Sequence, residues 1–111
     1  MSAVQTISVP EVEFIRIRER SLDAGTSMRF RRAISDELDG GECAVLDFDE
    51  VEWIDSAGLD ALLCCLRDFN LAGVELRLCN VSTPVRAMFE LVGIDQLISV
   101  HATREEALAS L

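Results

Sequence analysis

Hydrophobic positions along this chain follow two periodicities, one of two residues and one near 3.6 residues. Short apolar or alternating runs predict five β-strands, over 4–9, 12–18, 43–48, 74–79 and 97–100. Apolar positions three or four residues apart predict α-helices over 25–38, 56–70 and 84–92, with a last short helix opening at 103. Because strands and helices alternate, we predict an α/β fold, a single domain over residues 1–111 with right-handed crossovers.

Residues that favour helix termini mark the predicted boundaries. Thr83 is the predicted cap of the third helix, and Pro84 is its first residue. Residues 103–106 have the spacing of a capping box, which predicts the start of the last helix. Glycines predict where the first and third helices end, at positions 40 and 41 and at Gly93.

The strand patterns indicate which side chains face the core. The first two strands predict a hairpin at the edge of the sheet, where arginines discourage pairing with other chains. In the fourth strand Val74, Leu76 and Leu78 are expected to point inward. Glu75 and Arg77 alternate with them and are expected to point outward.

The net charge is −10, from 20 acidic residues and ten arginines, with no lysine. Such acidity argues against non-specific binding to nucleic acid and against docking on anionic membranes. No apolar run approaches the roughly 20 residues that span a bilayer, and no secretory signal is evident. We therefore expect a cytoplasmic protein with no direct nucleic-acid partner and no membrane insertion.

Four cysteines and one histidine do not form a metal-binding pattern. Cys43 and Cys79 lie in apolar strands and are expected to behave as small core residues. Cys64 falls on the more polar side of the second helix, either as a reactive thiol or as a tolerated small residue. His101 is expected in a loop. We expect neither a metal nor another cofactor.

The most informative segment is 53–62, where an acidic stretch runs into the second helix. Residues 42–68 carry eight acids and a single arginine. Within this stretch, Ser56 stands at a helix amino terminus, which leaves N–H groups unpaired and carries partial positive charge. Two interpretations remain open: Asp55 or Ser56 caps the helix, or the turn is a seat for a phosphate.

The second helix has two different faces at 100° per residue. Its core stripe is predicted to consist of Leu59, Leu62, Cys65, Leu66 and Phe69. A second face contains Ser56, Asp60, Leu63 and Arg67. Leu63 is then either a boundary residue half covered by a neighbour or an apolar contact for a partner that docks over Ser56.

Three segments resemble the motifs of STAS domains, which sulfate transporters and anti-sigma-factor antagonists share. Residues 45–59 (VLDFDEVEWIDSAGL) resemble the family signature. Residues 21–23 with Thr26 resemble the Leu-Asp-x-x-Thr segment before the first helix. Residues 79–89 with 93–94 resemble the third strand-to-helix turn. The resemblance covers nearly the whole chain in the expected order.

This resemblance implies a STAS-type domain in which a central mixed β-sheet of about 4–5 strands packs with about four α-helices. In the anti-sigma-factor antagonist branch, the serine after the aspartate, here Ser56, is phosphorylated by an anti-sigma serine kinase. The unphosphorylated form binds that kinase and frees its sigma factor, and a metal-dependent serine phosphatase acting on phospho-Ser56 restores binding. By the same resemblance the partner-binding residues are Asp23, Asp55, Ala57, Gly58, Asp60 and Leu63.

The chain departs from the family pattern at three places. Ala57 replaces a second hydroxyl residue, which leaves Ser56 as the acceptor in the motif. Asp60 stands where a small residue is frequent, and its carboxylate about one turn from a phosphate would oppose phosphorylation. Residues 20–21 are Arg-Ser where Gly-Glu is frequent, which would alter the partner surface.

Other functional classes fit less well. A serine hydrolase needs a base near its nucleophile and usually a G-x-S-x-G turn, and the chain lacks that motif. A phospho-aspartate receiver resembles this α/β alternation but uses a lysine, and the chain has none. We therefore expect a protein that is not an enzyme. The alternative to a phosphorylated antagonist is an unphosphorylated STAS scaffold subunit of a stressosome-like or transporter-associated complex.

Overall fold

A computed structural model describes residues 4–9, 12–38 and 41–109. The strands are β1 (Val4–Val9), β2 (Val12–Ile17), β3 (Ser21–Leu22), β4 (Cys43–Asp47), β5 (Trp53–Ile54), β6 (Glu75–Cys79) and β7 (Ser99–His101). The helices are α1 (Ser27–Asp36), α2 (Ser56–Leu71), α3 (Thr83–Val92) and α4 (Arg104–Ala109), with a 3₁₀ turn at Ile94–Gln96. The α/β fold predicted from the periodicities is confirmed.

Five strands form the main sheet in the order β1-β2-β4-β6-β7. β1 and β2 are the predicted antiparallel edge hairpin, and the remaining neighbours pair in parallel. The sheet is therefore mixed, as expected. A second, two-stranded parallel ladder joins β3 to β5, with Leu22 opposite Ile54. This ladder was not predicted, because two residues per strand are too few to show a periodicity.

Helices α1, α2 and α3 cover one face of the main sheet and enclose the larger core. Its largest members include Phe30, Phe48, Phe69 and Phe89, all fully buried. The rings of Phe48 and Phe89 meet edge to face, with their centroids 6.0 Å apart. The predicted core stripe of α2 is confirmed, with Leu66 partly buried at its margin.

Helix α4 lies on the opposite face of the sheet, over a smaller cluster formed by Val12, Phe14, Cys43, Val45, Cys79 and Ala107. Arg77 belongs to this face and is buried, so the expectation of an outward side chain was wrong. Its Nη1 donates to the carbonyl of Ala107 at 2.6 Å, and its Nη2 to Glu75 Oε2 at 2.9 Å. The strand alternation was right, but α4 covers the face that was expected to meet solvent.

Several predicted boundaries are displaced. Helix α1 spans Ser27–Asp36 rather than 25–38, and of the two glycines expected to end it, position 40 lies outside the described residues. The cap of α3 is Ser82, with Thr83 inside the helix. His101 lies in β7 rather than in a loop, whereas 97 falls before that strand. Thr103 Oγ1 accepts the Glu106 N–H at 3.1 Å, as the capping-box spacing predicted.

Gly93 ends α3 as predicted, because its φ of +81° is a left-handed conformation that glycine adopts without strain.

The cysteines also follow expectation: Cys43 and Cys79 are buried, as is Cys65, and Cys64 is partly exposed. Burial raises the pKa of both Cys65 and Cys79 to about 12. Among the described residues, no helix has the length and apolarity required to cross a membrane.

Candidate functional site

Helix α2 begins at Ser56, directly after the short strand β5. The capping residue is Asp55, whose backbone is extended and whose Oδ1 accepts the N–H of Gly58 at 3.0 Å. The carbonyl of Asp55 accepts the first intrahelical bond, from Leu59, at 2.9 Å. Of the two capping residues that the sequence allowed, the structure selects Asp55.

The hydroxyl of Ser56 is left free by this arrangement. Ser56 is exposed in the first position of α2, and its Oγ makes no hydrogen bond with the described part of the chain. N–H groups in the first turn of a helix lack intrahelical partners and favour a negative charge nearby. The hydroxyl is therefore exposed at a helix amino terminus, whose partial positive charge is opposed by the nearby carboxylates of Asp55 and Asp60.

Gly58 is buried, and its position is set by an internal contact. A β-carbon at this residue would lie 2.2 Å from the carbonyl oxygen of Leu22 and 2.8 Å from Cγ1 of Ile54. The first turn of α2 thus packs directly on the backbone of β3. The N–H of Asp55 donates to the same Leu22 oxygen at 3.0 Å. Gly58, which the resemblance had named among the partner-binding residues, is buried in the structure.

Asp23 organises the loop between β3 and α1. Its carboxylate accepts from Ser21 Oγ at 2.8 Å and from the N–H of Gly25 at 2.9 Å. Thr26 Oγ1 closes the loop, because it accepts the N–H of Asp23 and donates to the carbonyl of Ser21. The hydrogen bond from Ser21, followed by that from Gly25, lowers the pKa of Asp23 below its ordinary value of 3.8.

The β3–β5 ladder brings most of the predicted partner-binding residues to one end of the sheet. Asp23 and Asp55 immediately follow paired strands, so they occupy corresponding positions there. Ala57 is half-buried beside Ser56. Asp60 is exposed, one helical turn further along α2. The result is an acidic, partly exposed surface around one free hydroxyl.

An open groove of about 280 Å³ runs beside this surface, lined by Ser56, Leu59, Asp60, Leu63, Val92, Ile94 and Leu97. Leu63 is 37% exposed, so it is the predicted boundary residue at the edge of the core stripe. Val92 is 52% and Leu97 63% exposed, although Val92 lies only three residues after the buried Phe89 in α3. Leu97 was expected in a strand, but it follows the 3₁₀ turn Ile94–Gln96, which begins at the left-handed Gly93.

Arg20 and Ser21, which differ from the family pattern, both have hydrogen-bond partners near the site. Arg20 donates through Nε and Nη2 to the two carboxylate oxygens of Glu52, at 3.1 and 3.3 Å. Its carbonyl accepts the N–H of Glu52 at 2.7 Å. Ser21 is the principal hydrogen-bond donor to Asp23. These two residues therefore support the loops on either side of the β3–β5 ladder.

Comparison with known proteins identifies the family. The STAS domain model matches residues 3–107 of this chain. The chain belongs to the STAS domain family. Among curated relatives, the anti-sigma F factor antagonist of Paenibacillus polymyxa is 26% identical over 92 residues, which are 81% of this chain and 79% of that protein.

Solved structures of one anti-sigma factor antagonist, SpoIIAA, share this STAS fold in two chemical states. The unphosphorylated form is 27% identical with a TM-score of 0.75, and the match covers 96% of this chain and 93% of that one. The phosphorylated form, from Bacillus, is 26% identical with a TM-score of 0.68, and the match covers 96% of each chain.

Replacing Gly58 by alanine tests the packing of α2 on β3. We expect Gly58→Ala to lower the free energy of unfolding by about 3 kcal/mol or more, because the new β-carbon meets backbone that cannot rotate away. Gly25→Ala is the matched control, since its β-carbon would meet only Asp23 Oδ1 at 3.4 Å. Urea denaturation of both variants measures the difference, and equal stabilities would contradict the contact.

The lowered pKa of Asp23 gives a pH-dependent prediction. A carboxyl with a lowered folded-state pKa stabilises the protein above its unfolded pKa, near 3.8, and this contribution is lost as pH falls through the folded value. Asp23→Asn should therefore be less stable than the parent at pH 7, with a difference that shrinks as the pH falls below 3.8 and vanishes once the pH is below the folded-state pKa. Denaturation across this pH range measures it, with Glu90→Gln correcting for the lost charge. A pH-independent difference would contradict this role.

Proposed function

We propose that this protein is an anti-sigma-factor antagonist that binds an anti-sigma serine kinase and is switched off by phosphorylation of Ser56. The observation that carries the proposal is the exposed hydroxyl of Ser56, which α2 does not use as a cap. The similarity to anti-sigma factor antagonists, one of them known in phosphorylated and unphosphorylated forms, supports it.

The proposed switch acts on binding rather than on folding. A phosphate adds about −1.5 to −2 charges. At the start of α2 the helix dipole favours such a charge by about 0.3–1 kcal/mol, which offsets part of the repulsion from Asp55. No hydrogen bond of the fold depends on Ser56 Oγ within the described residues, so none is broken. The domain should therefore keep its structure when Ser56 is phosphorylated.

At an interface the same phosphate is unfavourable. Each unit charge placed at contact distance from a like charge costs roughly 1 to 4 kcal/mol. The desolvation of an unpaired phosphate adds to this cost. A few kcal/mol correspond to a hundredfold or larger change in affinity. Phosphorylation should thus release the kinase, and a metal-dependent serine phosphatase that removes the phosphate should restore binding.

The proposed partner surface consists of Asp23, Asp55, Ala57, Asp60 and the exposed edge of Leu63, with Gly58 supporting it from beneath. Leu63 continues into the apolar groove beside Val92 and Leu97. Apolar groups surrounded by acids match a partner surface that offers apolar side chains within a basic rim. This combination fits a protein partner better than a nucleic acid.

A second candidate function is an unphosphorylated scaffold in a stressosome-like or transporter-associated complex. The position of Asp60 favours it, since this exposed carboxylate lies one turn from Ser56 and opposes a phosphate there. Asp60→Ala separates the two functions, because it should accelerate phosphorylation if Ser56 is a kinase substrate and should have no effect in a scaffold.

Ser56 should accept a single phosphate when the protein is incubated with ATP and the anti-sigma serine kinase of its own organism. Intact-mass measurement should show one added phosphate, and Ser56→Ala should show none. Phosphate that persists in the alanine variant would assign the modification to another hydroxyl.

Ser56→Asp should bind the kinase about tenfold or more weakly than Ser56→Ala in calorimetric titration, with stabilities within about 0.5 kcal/mol. Equal affinities would favour the scaffold.

Leu63→Arg should weaken kinase binding about tenfold or more and should change stability by less than about 1 kcal/mol, because a residue 37% exposed contributes little core burial. Leu71→Arg is the control on the same helix, since Leu71 is 81% exposed and does not line the groove. Titration calorimetry and thermal denaturation measure the two effects. Equal binding by both variants would exclude Leu63 from the interface.

A further inference from the structure

A second cleft lies on the α4 face of the sheet, away from the groove between α2 and α3. It encloses about 170 Å³ and is lined by Gln5, Phe14, Arg16, Asp47 and Arg104. The guanidinium carbon of Arg104 lies 4.1 Å from the centre of the Phe14 ring. Stacking on an aromatic ring fixes a guanidinium and leaves the N–H groups at its edge available to a ligand. Arg104 makes no ion pair with the residues that the structure describes.

Arg16 faces the same cleft and is only weakly engaged. Its Nε and Nη2 both point at Asp47 Oδ2, each at 3.4 Å, which is long for a charge-assisted hydrogen bond. The other carboxylate oxygen of Asp47 accepts the N–H of Asp49 at 2.9 Å and Nδ2 of Asn80 at 3.1 Å. Asp47 is thereby held in place. Arg16, whose side chain is 45% exposed, retains donors that no short bond occupies.

The local charge is unusual for this chain. Among the described residues, two guanidinium groups and one carboxylate line the cleft, so this lining is net positive in a protein of net charge −10. Arg18, which follows directly after β2, is engaged with Gln5 Oε1 at 3.0 Å and with Glu50 at 3.2 Å. The positive potential of the cleft therefore comes from Arg16 and Arg104.

We propose that this cleft binds a small organic anion through a carboxylate or phosphate group held between Arg16 and Arg104. Guanidinium groups bind planar carboxylates and phosphates through paired N–H donors. The amide of Gln5 supplies a neutral donor at the rim. A volume of about 170 Å³ is below the roughly 300 Å³ of typical drug-sized sites, so it suits a ligand of few heavy atoms.

Two-dimensional NMR titration of the ¹⁵N-labelled protein tests this proposal without a kinase, so its outcome is independent of the proposed function. Succinate and inorganic phosphate are the probes, each compared with sodium chloride at equal ionic strength. We expect saturable shifts of the Arg16 and Arg104 Nε–H signals and of the Gln5 side-chain amide with at least one probe. Shifts that stay linear, or that match those in sodium chloride, for both probes would overturn the proposal.

Variants separate specific binding from general charge effects. Arg16→Gln should lower the affinity for the probe that gives saturable shifts by about tenfold or more, because a charge-assisted hydrogen-bonded pair is lost. Arg67→Gln removes an equal charge from the exposed surface of α2 and should leave the affinity unchanged. Arg104→Lys tests the stacked guanidinium while keeping its charge and should also weaken binding. Equal affinity in all variants with native thermal stability would overturn the site.

Discussion

The backbone contact between the first turn of α2 and Leu22 holds together the two halves of the candidate functional site. Gly58 carries no side chain, so the helix can lie against the carbonyl that also receives the Asp55 N–H. The loop containing Asp23 begins one residue after Leu22, and Ser56 follows Asp55. One close approach therefore fixes a loop and a helix start that are more than thirty residues apart in sequence.

The two faces of the sheet serve different purposes. Three helices and most of the aromatic side chains occupy one face, and they leave an apolar groove where α2 meets the end of α3. The other face has one short helix, a smaller apolar cluster, and a cleft lined by two arginines. Buried Arg77 donates there from Nη1 to the carbonyl of Ala107 and from Nη2 to the carboxylate of Glu75. A guanidinium thus anchors α4 to the sheet.

The sequence predicted the main elements well because each gives a recognisable hydrophobic pattern, alternating or continuously apolar in the strands and near 3.6 residues in the helices. The five main strands, the core stripe of α2 and the glycine stop of α3 were all visible in it. The ladder of β3 and β5 was not, since it depends on which distant segments meet. The burial of Arg77 was missed for the same reason, since it depends on the packing of α4 over β6.

The candidate site shows a similar division. Local composition identified Ser56 and its acidic neighbours, and it left open which residue caps the helix. The three-dimensional structure was needed to identify Asp55 as the capping residue and to show that Gly58 packs on the backbone of Leu22. One wall of the groove was predicted, because helical geometry had identified Leu63. The other wall was not, because Leu97 follows a 3₁₀ turn although it was expected to lie in a strand.

Asp55 caps helix α2, and the adjacent Ser56 is the residue proposed to be phosphorylated. Since the fold draws on the first and not on the second, natural variation at position 56 is little constrained by stability. A duplicated copy of this gene could therefore exchange the serine for a residue that no kinase modifies and still produce a folded, long-lived protein. Regulated and constitutive relatives can in this way diverge from one ancestor through a single substitution, without passing through an unstable intermediate.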